Sequence, residues 1–392
     1  MTPSTDRNPP PVYLDCAAAT PVLEPVLKRY VQHCRHWFAN PHAGNRYSEN
    51  AYREILRAQT RLLEHLDIPP DEATVTWTGG GTEAVNLGIV GALRAEPHPE
   101  QRACLAEASA HPAVLEPARS VARAGGSFEP LPVDAEGALR LDPITAAGDK
   151  LKKNTLVALC HVNNETGACQ DLAAVRRWMD TRLPSAQLTV DAMQSAGKYD
   201  LRWREARPDF IALGSRKFGG PPHMGALIAR KNVRLQPLLF GGGQQDAKRP
   251  GTLDTAGILA LVDALEWACK NRANEWQRMT ELNRKLRDAF TNDAAGRAVV
   301  LSPENASPYI LSVAFPGCEG AILMRALAER GVVVGTGSAC SAETRKTSHV
   351  LAAMGINSRT ARGVLRISMG HTTTRDDVDT LIAACNRVLE TY

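Results

Sequence analysis

The chain predicts an α/β fold with a mainly parallel sheet. Three observations carry that expectation. Short β-type runs alternate with amphipathic stretches through the middle of the sequence. Four of these runs give way at once to glycine-rich or polar segments. From about residue 259 the texture changes to a long helical stretch followed by well-spaced β runs, an α+β pattern.

In chain order, β-type runs are expected at Thr74–Thr78, Ala103–Ala106, Leu156–His161, Leu188–Val190, Phe210–Leu213 and Gly225–Ala229, with helices between them such as Leu172–Arg182. Ile258–Lys285 reads as a long helix. Tyr309–Phe315 and Gly331–Gly335 read as strands enclosing a helix at Ala321–Arg330, then Leu365–Met369 as a strand and Thr374–Leu389 as a last helix. The 392 residues, 44% hydrophobic, suffice for one large core and a smaller one. We expect a large domain at 22–258 and a small α+β domain made of 1–21 and 259–392.

A formal charge of +4 is small for this length and gives no reason to expect direct nucleic-acid binding. No run of 18 apolar residues suggests a membrane span. The opening MTPSTDRNPPP has neither the charged start nor the apolar stretch of a signal peptide and reads as a short disordered leader. The nine cysteines are scattered, odd in number and without C-x-x-C spacing. Neither a metal site nor a disulfide framework is expected, and a reducing, cytoplasmic setting is the default.

The polar segments follow the strands. Thr74–Thr78 leads into Gly79-Gly80-Gly81-Thr82-Glu83, Leu156–His161 into Asn163-Asn164-Glu165, Leu188–Val190 into Asp191, and Phe210–Leu213 into Gly214-Ser215-Arg216-Lys217. Ligands of open parallel sheets bind beyond the carboxyl ends of the strands, so four strands deliver polar groups to one edge.

That set suits pyridoxal 5'-phosphate (PLP), which needs a Schiff-base lysine, a carboxylate for the pyridine nitrogen, a surface for the ring face and donors for the phosphate. Lys217 alone would read as a surface lysine, Asp191 as a helix N-cap and His111 as a structural histidine. The glycine turn alone is weak, having neither nucleotide-binding spacing. Together, a carboxylate that is expensive to bury unpaired and a lysine on the next strand point to a pyridinium between them.

The wording and order of the segments resemble the cysteine desulfurases of the NifS/IscS group, fold-type I PLP enzymes of the class V aminotransferase superfamily. The segments are Tyr13-Leu-Asp-Cys-Ala-Ala-Ala-Thr-Pro21, Gly79–Asn86, Ala110-His111, His161-Val-Asn-Asn-Glu-Thr-Gly167, Val190–Ser195, Lys217, Gly241–Gly243, Arg249-Pro-Gly-Thr252, Gly337-Ser-Ala-Cys340 and Arg366–Gly370, nearly the whole chain in family order. The resemblance implies a large domain with a mainly parallel seven-stranded sheet and a small domain carrying a mobile cysteine loop. It implies that Lys217 forms the Schiff base, Asp191 pairs with the pyridine nitrogen, Gln194 bonds the ring hydroxyl, and His111 stacks on the ring and assists proton transfers. Thr82 with Gly81 would bind the phosphate, and Thr252 would reach the phosphate of the neighbouring subunit of a homodimer. Asn164 and Arg366 would hold the substrate carboxylate, for which a planar guanidinium is suited. Cys340, in a small-residue segment with Arg345 and Lys346 close in sequence, would take sulfur from L-cysteine as a persulfide and pass it to an acceptor protein.

Three departures from the family bear on this. Its Ser-Gly-His-Lys is here Gly214-Ser215-Arg216-Lys217, so Arg216 is expected to grip the phosphate in place of the histidine, with Ser215 still in reach. Gln244 stands where housekeeping relatives often carry histidine. The chain stops at Tyr392, soon after its last helix, whereas those relatives extend into a tail that engages the iron–sulfur scaffold. A dedicated acceptor in a tRNA-thiolation, cofactor or DNA-phosphorothioation system is therefore expected. The competing readings are a selenocysteine lyase or another PLP-dependent C–S lyase, an aminotransferase, which has no use for Cys340, and a non-catalytic PLP-fold partner subunit.

Overall fold

The computed structural model describes residues 11–141, 154–292, 296–337 and 347–391. Cys340, Arg345 and Lys346 lie outside the described residues. Twelve strands are described: β1 Val12–Leu14, β2 Ala73–Thr78, β3 Arg102–Glu107, β4 Ser127–Leu131, β5 Asn154–Cys160, β6 Gln187–Asp191, β7 Phe210–Gly214, β8 Gly225–Arg230, β9 Val299–Val300, β10 Ile310–Ala314, β11 Val332–Val334 and β12 Val364–Ser368.

Seven of them form one sheet in the order β2-β8-β7-β6-β5-β3-β4. Only β8 runs against the rest, pairing antiparallel with β2 and with β7. The carboxyl ends of β2, β3, β5, β6 and β7 therefore share one edge with the start of β8. The middle strands are apolar on both faces: in β5 all residues after Asn154 are buried, as expected where helices cover both sides of a parallel sheet. One face packs on the helices Arg46–His65 and Thr255–Thr291, through residues such as Leu62, Ile211 and Leu261. The other packs on the helix Pro112–Arg123 and the run that begins with the helix Gly81–Asn86.

The sequence reading finds each central strand to within two residues at either end and misses β4. That strand is the sheet edge, bonded only to β3. It exposes Glu129 and Pro130, and proline is tolerated at an edge because no ladder donor is needed there.

The 37-residue helix Thr255–Thr291 joins two cores. Asp254 caps it, accepting the Gly257 N–H. Its first turns, Ile258–Leu265, are buried under the large sheet. Its last turns, with Met279, Leu286 and Phe290, enter a second core with Leu14, the antiparallel sheet β12-β10-β9, the parallel pair β1-β11 and the helix Arg375–Thr391. The isolated bridges Asp15–Ser368 and Gly335–Arg366 tie the two small sheets together beside the large one.

Candidate active site

A cavity of about 610 Å³ opens at the shared strand edge, a size suited to a cofactor with a small substrate. Its lining includes Gly79–Thr82 after β2, His111 after β3, Asn164 after β5, Asp191 and Gln194 from β6, Arg216 and Lys217 after β7, Arg366 from β12, and Ala17 and Ala18 after β1.

Asp191 ends β6 and is fully buried; burial lifts its carboxyl to about 6. Its Oδ1 accepts the Met193 N–H at 2.9 Å, and its Oδ2 meets only the Cys160 thiol at 3.8 Å. No ion pair involves it among the described residues, an expensive arrangement unless a cation arrives. Gln194, one turn on, donates from Nε2 to the Ala17 carbonyl at 3.0 Å, and its buried Oε1 has no partner.

Lys217 ends the turn after β7. Its Nζ donates to the carbonyls of Ala17 (2.8 Å) and Ala18 (2.7 Å). Burial, and then the nearby Arg366 charge, lower its pKa to about 8, so a larger share of the amine is unprotonated and nucleophilic at neutral pH.

His111 precedes the helix Pro112–Arg123 and caps it: Nδ1 accepts the Ala113 N–H at 3.0 Å. The remaining ring proton therefore sits on Nε2. Burial, then the Lys217 charge, press its pKa down to about 4, so the ring is neutral at physiological pH.

Arg366 is buried. Nη2 pairs with Asp15 Oδ1 at 2.7 Å and Nη1 donates to the Asn164 carbonyl at 3.1 Å. Nε has no partner. The residue lines the cavity, and its planar, charged fork suits an incoming carboxylate.

At the other end, Gly80 adopts φ +147°, which disfavours any side chain. A Cβ on Gly225 would lie 2.5 Å from the Gly80 carbonyl carbon. Thr82 and Arg216 line the cavity here. Ser215 is fully buried, its hydroxyl is bonded to the carbonyls of Pro221 and Met224, and it is not part of the cavity lining. The tight return of the chain to β8 captures it. Thr252 is exposed and not part of the cavity lining.

The sequence reading gave no role to Glu107, Cys160, Asp15 or His223. Glu107 is the last residue of β3, fully buried, and burial raises its carboxyl to about 7. It accepts from Ser109 Oγ (2.6 Å), Gln170 Nε2 (3.3 Å) and the Cys160 N–H (2.9 Å). Glu83 accepts the Gly79 N–H (2.6 Å) and pairs with Arg249 (2.8 Å), bracing the glycine turn.

The residues present fit PLP. An uncompensated buried carboxylate, an orphan amide oxygen, a lysine of lowered pKa and a small-residue turn beside an arginine converge on one cavity of suitable size. Among the described residues no cluster of His, Cys, Asp and Glu is arranged to hold a metal.

Comparison with known proteins agrees in kind. The model for the family described as Aminotransferase class-V matches residues 12–381. A cysteine desulfurase IscS from Dictyoglomus turgidum is 32% identical over 387 residues, covering 97% of this chain and 94% of the relative. A solved NifS-like protein superposes with a TM-score of 0.89 at 28% identity, over 97% of this chain and 100% of that one. SspA, solved in complex with cysteine, superposes with a TM-score of 0.77 at 27% identity, over 92% and 99% of the two chains. With a family model running from the first strand into the last helix, and near full-length likeness to relatives of one kind, the chain belongs to the class-V aminotransferase family, in its NifS/IscS cysteine desulfurase group.

Proposed function

We propose that the chain is a PLP-dependent cysteine desulfurase that converts L-cysteine to L-alanine and transfers the sulfur to Cys340. The observation that carries this is the pairing, in one cavity, of a buried carboxylate without a counter-cation, Asp191, and the amine of Lys217.

Bound PLP supplies an electron sink that makes bonds around the substrate Cα easier to break. Lys217 would hold the cofactor covalently and, when released, would carry a proton at Nζ. Asp191 would keep the pyridine nitrogen protonated, and Gln194 would meet the ring hydroxyl. The neutral His111 ring would cover the ring face and offer its Nε2 proton. Arg366, through its guanidinium, and Asn164 would fix the substrate carboxylate. Gly81, Thr82 and Arg216 would hold the phosphate.

The Cys340 thiolate would take the sulfur, so that cysteine plus enzyme thiol gives alanine plus enzyme persulfide. Residues 335–337 are the nearest described ones before it in sequence, and Gly335 bridges to Arg366, which lines the cavity. The Gly335 N–H donates to the Arg366 carbonyl at 2.9 Å, and a Cβ on Gly337 would lie 2.7 Å from the Glu165 carboxylate. The proximity of these residues to Arg366 and Glu165 supports delivery of Cys340 to the proposed carboxylate site.

The protein would act as a homodimer. Phe38 is 73% exposed and Phe240 87%, and Phe240 lies on the connection that also carries Thr252, for which a neighbouring phosphate is the proposed target. The small domain would comprise residues 1–21 and 259–392, with the first turns of the long helix, as far as Ala268, packed on the large core. The persulfide would pass to a dedicated acceptor protein. The eight described cysteines are all free thiols, which supports a reducing, cytoplasmic setting, and no described helix is long and apolar enough to cross a membrane.

The test is direct. Purified protein should absorb at about 420 nm and bleach with borohydride. Incubated with cysteine, it should yield alanine and protein-bound sulfur, and Cys340→Ser should lose the bound sulfur. Colourless protein that PLP fails to reconstitute would sink the proposal.

A further inference from the structure

His223 sits two residues before the start of β8 with φ +59°. Side chains are uncommon in this left-handed region, where glycine fits at least cost. Among the described residues eight non-glycine residues have φ in this range, and His223 alone lines the cavity.

Its place follows from the register. β8 runs antiparallel to β2 with Gly225 opposite Thr78, so the residues before Gly225 lie across from the glycine turn that leaves β2. The contact is close: a Cβ on Gly225 would come within 2.5 Å of Gly80. On its other side the Ser215 N–H donates to the Met224 carbonyl at 3.0 Å. His223 is therefore bracketed by Gly79–Thr82 and by Ser215–Arg216, where the proposed function places the cofactor phosphate.

The charges at this end favour an anion. Glu83, the acidic residue of the turn, is already matched by Arg249 at 2.8 Å. Thr82, Arg216 and His223 then remain as cavity-lining side chains at this end that can donate to a phosphate monoester.

We propose that His223 is a further phosphate-binding side chain of the cofactor site, donating from its imidazole in addition to Thr82 and Arg216. The assignment rests on the proposed function. The strained backbone makes the test unusually clean, because glycine at this position relieves the conformation that histidine must endure.

Apo protein is titrated with PLP and with pyridoxal, which lacks the phosphate, for the parent, His223→Gly and His223→Asn. In His223→Gly the dissociation constant for PLP should rise about tenfold, the scale of one charge-assisted hydrogen bond. The constant for pyridoxal should be unchanged, and thermal unfolding of the apo protein should start no lower than in the parent. Asparagine tolerates the same backbone and keeps one donor, so His223→Asn should fall between. An unchanged ratio of the two constants, or an equal loss for both ligands, overturns the phosphate contact. If the parent binds neither ligand, the functional reading fails instead, so the two failures are distinct.

Discussion

Glu107 and Asp191 face each other across a single residue: the Cys160 N–H donates to Glu107 Oε2 at 2.9 Å, and the Cys160 thiol lies 3.8 Å from Asp191 Oδ2. Two fully buried carboxyls thus share one neighbour, and each is held above its ordinary range chiefly by burial, Glu107 to about 7 and Asp191 to about 6. A cationic ring beside Asp191 would relieve one of them; Glu107 has no such relief.

The first prediction follows from the sign of that shift. Glutamate in an unfolded chain titrates near ~4.3. Because the folded value is higher, Glu107 contributes stability that is fully present below about pH 4 and is lost as pH rises through about 7. Other buried groups titrate too, His111 and His161 in the opposite sense, so the contribution is read as a difference. Glu107→Gln removes the titration and leaves the rest. The stability advantage of the parent over the variant should shrink by about 3 kcal/mol between pH 5 and pH 8, measured by denaturant unfolding of the apo protein. A gap that does not move with pH would show that Glu107 stays in one protonation state.

The second prediction concerns Arg216, exposed at the cavity edge where the family places histidine. Arg216→Ala should weaken PLP binding about tenfold while leaving the fold intact, since no buried contact is lost. Dialysis against phosphate buffer followed by absorbance reads the retained cofactor. A variant as yellow as the parent would remove Arg216 from the phosphate site.

A third tests the close approach of β8 to the glycine turn. Gly225→Ala drives a Cβ into the Gly80 carbonyl carbon, which is backbone and cannot step aside. The expected cost is about 1–3 kcal/mol, with reduced cofactor retention because the turn must shift. Gly44→Ala, with nothing within 4 Å of the added atom, is the control. Equal behaviour of the two variants would mean that the turn has slack.

How much of this site was legible in the sequence depends on the kind of signal. Asp191 directly ends an apolar run, and Thr82, His111, Asn164 and Lys217 follow one within five residues, so the strand pattern sends them to one edge. Arg366 arrives from β12, beyond that sheet, and only the wording of Arg366–Gly370 flags it. The hydroxyl of Ser215 is held by the Pro221 carbonyl because the turn folds back within six residues, a local contact that residue order does not display. His223 was invisible for a similar reason, since its interest lies in a backbone angle. Glu107 and Cys160 end strands, but nothing in their spacing distinguishes a buried hydrogen-bond hub from an ordinary strand terminus.

The last prediction concerns Arg366, whose fork is divided between Asp15, the Asn164 carbonyl and the vacant Nε. Lysine keeps the charge but concentrates it at one point, so it cannot hold Asp15 and a substrate carboxylate in fixed relative positions. Losing one charged hydrogen bond, worth about 1.5–3 kcal/mol, should raise KM for cysteine by ~10–100-fold in Arg366→Lys. Asp15→Asn leaves the guanidinium in place but frees it to turn, so KM should rise less, and the double variant should cost less than the sum of the two because the residues act through one pair. Strict additivity of the two effects would mean that Asp15 does not orient Arg366, and an unchanged KM in Arg366→Lys would move the carboxylate site elsewhere in the cavity.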